Sequence, residues 1–194
     1  MKYRIKISQA VTVALLLAAR PCSWTLFFAG LAVAAAGEAL RIWASGNLYK
    51  DKTLAVGGPF QLARHPLYVG SSLIAAGFTV MCVNPAYPYR SAALALSVIL
   101  GFMFVYSATA NEEEARLSQL FGAEYESYRN SVPKYLPCPS AFGAALRTDK
   151  FSLSQMLYNK EQITMLGFAS IAGIVALMVW RGLSMAGLVM SLFS

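Results

Sequence analysis

Charged side chains are scarce in this sequence of 194 residues, of which Asp, Glu, Lys and Arg together make up 13%. Soluble domains carry about 25% charged residues, whereas 57% of this sequence is hydrophobic. Too few polar side chains are present to cover the surface of a water-soluble domain of this size. The composition therefore excludes a soluble globular protein. The composition and the long apolar runs therefore predict an all-α integral membrane protein, with membrane lipid as its surroundings.

Residues that bind metals or form disulfides are also few. The three cysteines, Cys22, Cys82 and Cys138, are far apart and lack metal-ligand spacing, so we expect neither a disulfide framework nor a metal site. Sixteen basic residues stand against nine acidic ones. Since no nucleic-acid-binding module is present, we attribute this excess to the cytoplasmic side of a membrane protein. Neither a nucleic-acid partner nor an obligate protein partner is expected.

Apolar runs divide the sequence into membrane segments. A short run over 7–19 and a second over 24–44 are separated by Arg20-Pro21, and together they predict an N-terminal helical hairpin over 7–45. The later apolar runs are 67–83, 91–110, 163–180 and a short tail over 183–193. The pattern predicts a polytopic helical bundle of about five or six spans.

Two charged residues interrupt the second apolar run. Glu38 and Arg41 are three residues apart, so they share one face of a helix. Charged side chains inside a span point into the bundle or toward an interface and find partners there. We therefore expect Glu38 and Arg41 to pair with each other.

Two polar segments, 46–65 and 111–160, lie between the apolar runs. Twelve basic residues fall on one side if the spans alternate and three on the other, which places both segments in the cytoplasm. The second segment begins with residues 111–114, which are expected to continue the fourth helix out of the membrane. An amphipathic helix is expected to follow to about residue 130. We treat 1–194 as one membrane domain, divided into the hairpin 7–45, a core over 46–137, and a cytoplasmic connection with C-terminal hydrophobic segments over 138–194.

The only histidine, His65, stands between Arg64 and Pro66 at the start of the third span. A lone histidine is more often structural than catalytic. However, the free N–H groups and the positive end of the dipole at a helix N-terminus suit a carboxylate. Tyr68 lies one turn further along, and Gly70 leaves room either for a flat ligand or for a close neighbouring helix.

Three consecutive glutamates, Glu112, Glu113 and Glu114, end the fourth span. Carboxylates at a helix C-terminus oppose the helix dipole, and adjacent ones repel each other. A cationic ligand such as an ammonium or a sulfonium would relieve both effects. The alternative is a solvated acidic end of the helix.

Two strings of residues resemble those of one superfamily of membrane methyltransferases. GPFQLARHPLYVG, residues 58–70, is similar to its GPYxxxRHPxYxG signature, and residues 113–133 are similar to its EExxL…FGxEYxxY…VP block. This superfamily comprises the isoprenylcysteine carboxyl methyltransferases and the phospholipid N-methyltransferases. The resemblance covers about residues 40–137. It implies an enzyme that transfers a methyl group from S-adenosyl-L-methionine to a lipophilic acceptor, either an isoprenylcysteine-like carboxylate or a lipid amine.

The resemblance also implies which residues form a cytoplasmic cofactor pocket. The cofactor-binding residues would be Lys52, Thr53, Leu54, Ala55, Phe60, His65, Pro66, Leu67, Tyr68, Gly70 and Glu113. The catalytic residues would be Glu113, Glu114 and Arg64. In this arrangement Glu113 would bind the amino group of the cofactor.

Two positions depart from the isoprenylcysteine enzymes. Thr109 stands four residues before Glu113, where those enzymes carry an arginine that contacts the substrate, and Ser131 stands where they often have an arginine before Val-Pro. The identity of the acceptor is therefore open. Two alternatives are an NADPH-dependent enzyme similar to the membrane sterol reductases, which share an RHPxY-like string, and a non-catalytic membrane scaffold of the same fold.

Overall fold

The computed structural model describes residues 19–50, 52–184, 187, 189 and 190. These residues form seven α-helices, two short 3-10 helices and no β-strand, which confirms the all-α prediction. The α-helices are α1 (Trp24–Gly46), α2 (Pro66–Met81), α3 (Pro88–Phe121), α4 (Ala123–Ser131), α5 (Phe142–Arg147), α6 (Leu153–Tyr158) and α7 (Glu161–Arg181). The 3-10 helices are Gly58–Gln61 and Pro139–Ala141.

Three of the helices, α1, α3 and α7, are long and apolar enough to cross a membrane, with 23, 34 and 21 residues. The apolar helix α2 lies where a span was predicted, but it has only 16 residues. At 1.5 Å per residue it extends about 24 Å, less than the hydrocarbon thickness of about 30 Å. The first run of the predicted hairpin and most of the tail over 183–193 fall outside the described residues, so the number of spans stays a prediction.

Helix α3 continues from the apolar run into the acidic stretch, as the sequence predicted, but it stops before residue 130. The apolar run and the acidic stretch form one helix that ends at Phe121, beyond the predicted end of the span. Gly122 follows with a φ of +51°, a left-handed conformation that favours glycine and stops the helix. The acidic residues 112–114 therefore lie inside a helix. The expectation that they stand at its C-terminus was wrong.

The chain divides into two compact units, each made of several segments. The first comprises the described parts of 1–35, 73–107 and 167–194, and the second comprises the described parts of 36–72 and 108–166. The division into a hairpin, a core and a C-terminal portion follows sequence order, whereas these units do not. The single membrane domain predicted over 1–194 stays a prediction.

In the first unit, the α1 and α2 segments approach each other closely at Gly30 and Gly77. A Cβ atom added at either glycine would meet the carbonyl oxygen of the other, and one at Gly77 would also meet Ala34. Small residues allow this approach of two helix backbones. The buried core beside them consists of Phe27, Ala34, Phe78, Met81 and Val175.

The second unit has its own core, which joins the two motif segments. Its fully or almost fully buried members are Ala44, Phe60, Tyr125 and Tyr128. The hydroxyl of Tyr128 donates a 2.8 Å hydrogen bond to the carbonyl oxygen of Phe60. Because Phe60 belongs to the first motif and Tyr128 to the second, this core fixes one motif against the other.

Candidate functional site

Backbone hydrogen bonds also hold the two motifs together. The N–H groups of Arg64 and His65 donate to the carbonyl oxygens of Pro133 and Lys134, at 2.8 and 3.2 Å. Further along, Cys138 donates to the carbonyl oxygen of Leu62 at 3.0 Å. The segment after α4 therefore runs beside the residues that precede α2, and it brings Lys134 to His65.

Glu114 is the centre of a buried cluster of charged groups. Its side chain is 10% exposed, and its Oε1 lies 3.0 Å from Nε2 of His65. Nη2 of Arg64 lies 3.5 Å from the same oxygen, and Nζ of Lys134 lies 3.4 Å from Oε2. A carboxylate is acceptable in such a place only when it is paired, and here two cations and an imidazole surround it. Glu114 therefore holds the motif residues in position.

Burial lowers the pKa of His65 below its ordinary value, although the hydrogen bond to Glu114 and the charges of Glu113 and Glu114 act in the opposite direction. The imidazole is therefore neutral near pH 7. Since a carboxylate only accepts hydrogen bonds, the proton of the neutral ring is on Nε2, where it is donated to Glu114. Nδ1 then carries a lone pair, and it lies 3.8 Å from Oε2 of Glu113.

Glu113 differs from Glu114 in its exposure, since 46% of its side chain is accessible. Its Oε2 accepts a 2.7 Å hydrogen bond from the hydroxyl of Tyr68. The ring of Tyr68 stacks on that of His65, with 5.2 Å between centroids and 10° between planes. Glu113 is therefore an accessible carboxylate that is fixed in position, and the acceptor atom Nδ1 lies beside it.

Arg64 retains donors that the described residues do not use. Its Nε and Nη1 are buried and have no hydrogen-bond partner there, and the same holds for the hydroxyl oxygen of Tyr125. Burial raises the pKa of Tyr125 to about 12, so the phenol stays protonated. Buried N–H groups of a guanidinium normally have acceptors. The site therefore contains N–H donors on Arg64 that no carboxylate among the described residues takes up, as well as unused acceptors at Glu113 and His65.

The N-terminus of α2 is less open than its sequence suggested. The backbone N–H groups of Tyr68 and Val69 both donate to the carbonyl oxygen of His65, at 3.0 and 3.1 Å. Those of Arg64 and His65 are taken up by the segment after α4, as described above, and Pro66 has no N–H group. The chain itself therefore occupies the N–H groups of His65 and Tyr68, so the helix N-terminus offers a carboxylate fewer free N–H groups than expected.

The other residues predicted to bind the cofactor occupy different surroundings. Leu54, Ala55 and Leu67 pack against the core around Phe60, whereas Lys52 and Thr53 are exposed. Pro66 is fully buried. Beside Gly70, a Cβ atom would meet the side chain of Arg41 and the carbonyl oxygen of Gly37, so this glycine serves the close approach of a neighbouring helix segment. Whether these residues contact a cofactor stays a prediction.

Two residues of the site were not singled out from the sequence. Lys134 binds Asn111 at 2.6 Å and approaches Glu114, and the ring of Tyr135 lies 5.8 Å from that of His65. Both directly follow the Val-Pro that ends the second motif block. The motif pattern stops at this proline, so only the backbone bonds between the two segments reveal their position.

Comparison with known proteins gives partial but consistent matches. Residues 4–132, more than half of the chain, match the family described as "Protein of unknown function (DUF1295)". The chain is 32% identical over 106 residues to the protein-S-isoprenylcysteine O-methyltransferase of Schizosaccharomyces pombe, an alignment that covers 55% of this chain and 42% of the relative. It is 34% identical over 85 residues to the human enzyme of that name, with 44% of this chain and 28% of the relative covered.

A third relative has a different kind of name. The cobalt-zinc-cadmium resistance protein CzcN of Cupriavidus metallidurans is 31% identical over 121 residues, covering 60% of this chain and 50% of the relative. The chain spans about half the length of the curated relatives it matches. No solved structure matches it significantly. The chain belongs to the DUF1295 family, within the superfamily of membrane proteins similar to the isoprenylcysteine carboxyl methyltransferases.

Proposed function

We propose that this protein is a membrane-embedded methyltransferase that transfers a methyl group from S-adenosyl-L-methionine to a lipophilic acceptor. The observation that carries the proposal is the accessible carboxylate of Glu113, which Tyr68 and His65 hold in place inside the two motifs. Relatives named protein-S-isoprenylcysteine O-methyltransferase support the same reaction class.

The unused groups of the site fit the amino-acid portion of this cofactor. An α-ammonium group supplies three N–H donors, and Glu113 with Nδ1 of His65 offers the matching acceptors. An α-carboxylate needs donors or cations, which Arg64 and Lys134 supply. The cluster therefore offers both signs of charge within a few residues, as a zwitterionic ligand requires.

The main task of the protein in this reaction is to position the methyl donor and the acceptor. The bound cofactor supplies a methyl group that its positively charged sulfur already activates. Glu113 would hold the ammonium group, and Tyr68 keeps that carboxylate oriented. Glu114 holds the side chains of Arg64, His65 and Lys134 in position. Holding donor and acceptor in line and excluding water from them accounts for large rate accelerations without a further catalytic group.

The acceptor belongs to one of two chemical classes, an isoprenylcysteine-like carboxylate or a lipid amine. Thr109 and Ser131 replace two arginines that isoprenylcysteine enzymes use or often carry, so the sequence does not favour the first class. A screen of lipid extracts with a labelled methyl donor identifies the acceptor.

Ligand binding to the detergent-purified protein tests the proposed activity. S-adenosyl-L-methionine and S-adenosylhomocysteine should bind, and His65→Ala should weaken both, because the ring supports Tyr68 and Glu114. Binding of NADPH alone would instead support the enzyme similar to sterol reductases. If none of the three ligands binds the folded protein, the non-catalytic scaffold becomes the better explanation.

We further propose that both motif segments face the cytoplasm. Cys22 is exposed before α1, and Cys138 is partly exposed beside the second motif, so each reports on one side. Single-cysteine variants are treated with a membrane-impermeant maleimide in intact cells and after permeabilisation. Labelling of Cys22 but not Cys138 in intact cells is expected, and the opposite pattern would reverse the orientation.

A further inference from the structure

A second cluster of charged groups in the same unit is centred on Arg41, near the C-terminal end of α1. Its Nε lies 2.8 Å from Oε1 of Glu161 and its Nη2 lies 3.1 Å from Oε2, so the ion pair is bidentate. Nη1 donates to Ser71 Oγ at 2.6 Å and to the carbonyl oxygen of Leu67 at 3.3 Å. Arg41 therefore pairs with Glu161 and not with Glu38. The predicted Glu38–Arg41 pair was wrong.

This pairing leaves Glu38 as an unmatched carboxyl group. The residue is 6% exposed, and neither of its carboxyl oxygens has a hydrogen-bond partner among the described residues. The guanidinium of Arg41 already uses its N–H groups on other oxygens, and a second contact of Nη2 goes to Thr164 Oγ1 at 3.4 Å. A buried carboxylate without a partner is strongly disfavoured. The carboxyl group of Glu38 therefore either holds a proton or takes a partner from outside the described residues.

The charges around Glu38 define what that partner is. Glu38 lies about one helical turn before Arg41, whose guanidinium is paired with Glu161, so an ionised Glu38 leaves one negative charge that a single positive charge balances. The two unused oxygens of an ionised Glu38 only accept hydrogen bonds, so its partner has to donate them. Mg²⁺ and Ca²⁺ fit poorly, because each takes about six or more oxygen ligands.

The helices on which these residues lie also restrict which ligands can reach them. Glu38 lies on α1 and Glu161 lies on α7, and both helices are long and apolar enough to cross a membrane. Ionisable residues inside such helices mark binding or transport sites by default. A ligand that reaches them from the lipid has to be largely apolar itself.

We propose that Glu38 binds the protonated amino group of a lipophilic molecule, beside the Arg41–Glu161 pair. An ammonium group brings one positive charge and three N–H donors, which match the missing charge and the unused acceptors. The bidentate pair fixes Arg41, so this residue does not move to neutralise Glu38. This inference does not depend on methyl transfer, since it concerns a different cluster of residues.

Binding of a fluorescent long-chain alkylamine to the full chain, in nanodiscs of zwitterionic lipid, tests the proposal. Saturable binding to the unaltered protein is expected, with at least a tenfold loss in Glu38→Gln, which keeps the size of the side chain. The matched control Glu126→Gln removes a half-exposed carboxylate and should bind like the unaltered protein. The corresponding long-chain alcohol should show no dependence on Glu38. Equal amine binding with and without the Glu38 charge would overturn the proposal.

A second measurement uses the unaltered protein and so does not depend on the folding of a variant. A hydrophobic carbodiimide modifies protonated carboxyl groups that lie in apolar surroundings, and mass spectrometry of the peptide that contains Glu38 detects the product. The alkylamine should protect Glu38 from modification, whereas the alcohol should not. Modification at the same rate with either compound means that Glu38 holds only a proton, which also overturns the proposal.

Discussion

The hydroxyl of Tyr68 donates a 2.7 Å hydrogen bond to Glu113, and the next residue, Glu114, accepts one from His65 at 3.0 Å. Two neighbouring acids on α3 therefore bind two residues of the first motif, three positions apart. Their surroundings differ, because Glu113 is accessible whereas Glu114 is buried. This difference separates a residue available to a ligand from one that supports the site.

Replacing Glu113 by glutamine should weaken the binding of S-adenosylhomocysteine about 10- to 100-fold, the range expected for one hydrogen bond to a charged group. The variant retains an oxygen that accepts from Tyr68, so the fold should be unaffected. Isothermal titration of the purified protein measures the effect. Glu112→Gln, the adjacent exposed acid, is the control and should bind normally. Equal affinities in the two variants would remove Glu113 from the site.

Replacing Glu114 by glutamine should destabilise the protein by about 3 kcal/mol, because Arg64 and Lys134 then lose the charge they share. Denaturant or thermal unfolding in detergent measures the change. Glu126→Gln removes an exposed ion pair with Arg129, whose atoms are 3.6 Å apart, and keeps an oxygen that accepts from Ser118, so it should cost less than about 1 kcal/mol. Similar losses in the two variants would contradict a central role of Glu114.

Acidification should destabilise the protein through His65. Burial lowers the pKa of this residue in the folded state, whereas the unfolded chain titrates near the ordinary value of about 6.5. The unfolded state therefore binds more protons below that pH, so stability is fully present above it and is lost as the pH falls toward the folded pKa.

Unfolding midpoints at pH 7.5 and 5.5, compared between the unaltered protein and His65→Asn, isolate this contribution. The unaltered protein should lose more stability between the two pH values, because asparagine does not titrate. An equal or larger loss in the variant would show that other groups cause the pH dependence.

Alanine at Gly77 should destabilise the protein by about 1–3 kcal/mol, as expected for forcing extra atoms into a packed interface. Its Cβ atom would meet the carbonyl oxygen of Gly30, and backbone atoms cannot turn away as a flexible side chain does. Gly173 on α7 has no atom within 4 Å of the corresponding position.

Gly173→Ala is therefore the matched control, and it should be neutral or stabilising by up to about 1 kcal/mol, since alanine favours a helix. Thermal unfolding of both variants in the same detergent compares them. A loss of stability in Gly173→Ala as large as in Gly77→Ala would mean that the Gly30–Gly77 contact is unimportant.

The sequence predicted the helices better than their ends. The apolar runs placed α1, α3 and α7 correctly, because a helix in lipid must be apolar over most of its length. The continuation of α3 was expected to reach about residue 130, whereas the left-handed Gly122 stops the helix at Phe121. A change from apolar to polar residues marks a change of surroundings, which a helix can cross without ending.

The sequence alone determined that this protein is helical and membrane-embedded, and which two motifs make it a member of its superfamily. Composition and local residue patterns suffice for these conclusions, because they depend on neighbours along the chain. Only the tertiary structure decided which charges meet: Arg41 pairs with Glu161, 120 positions away, and Lys134 approaches Glu114 from beyond the second motif. Such pairings depend on how distant segments pack, and no local pattern records them.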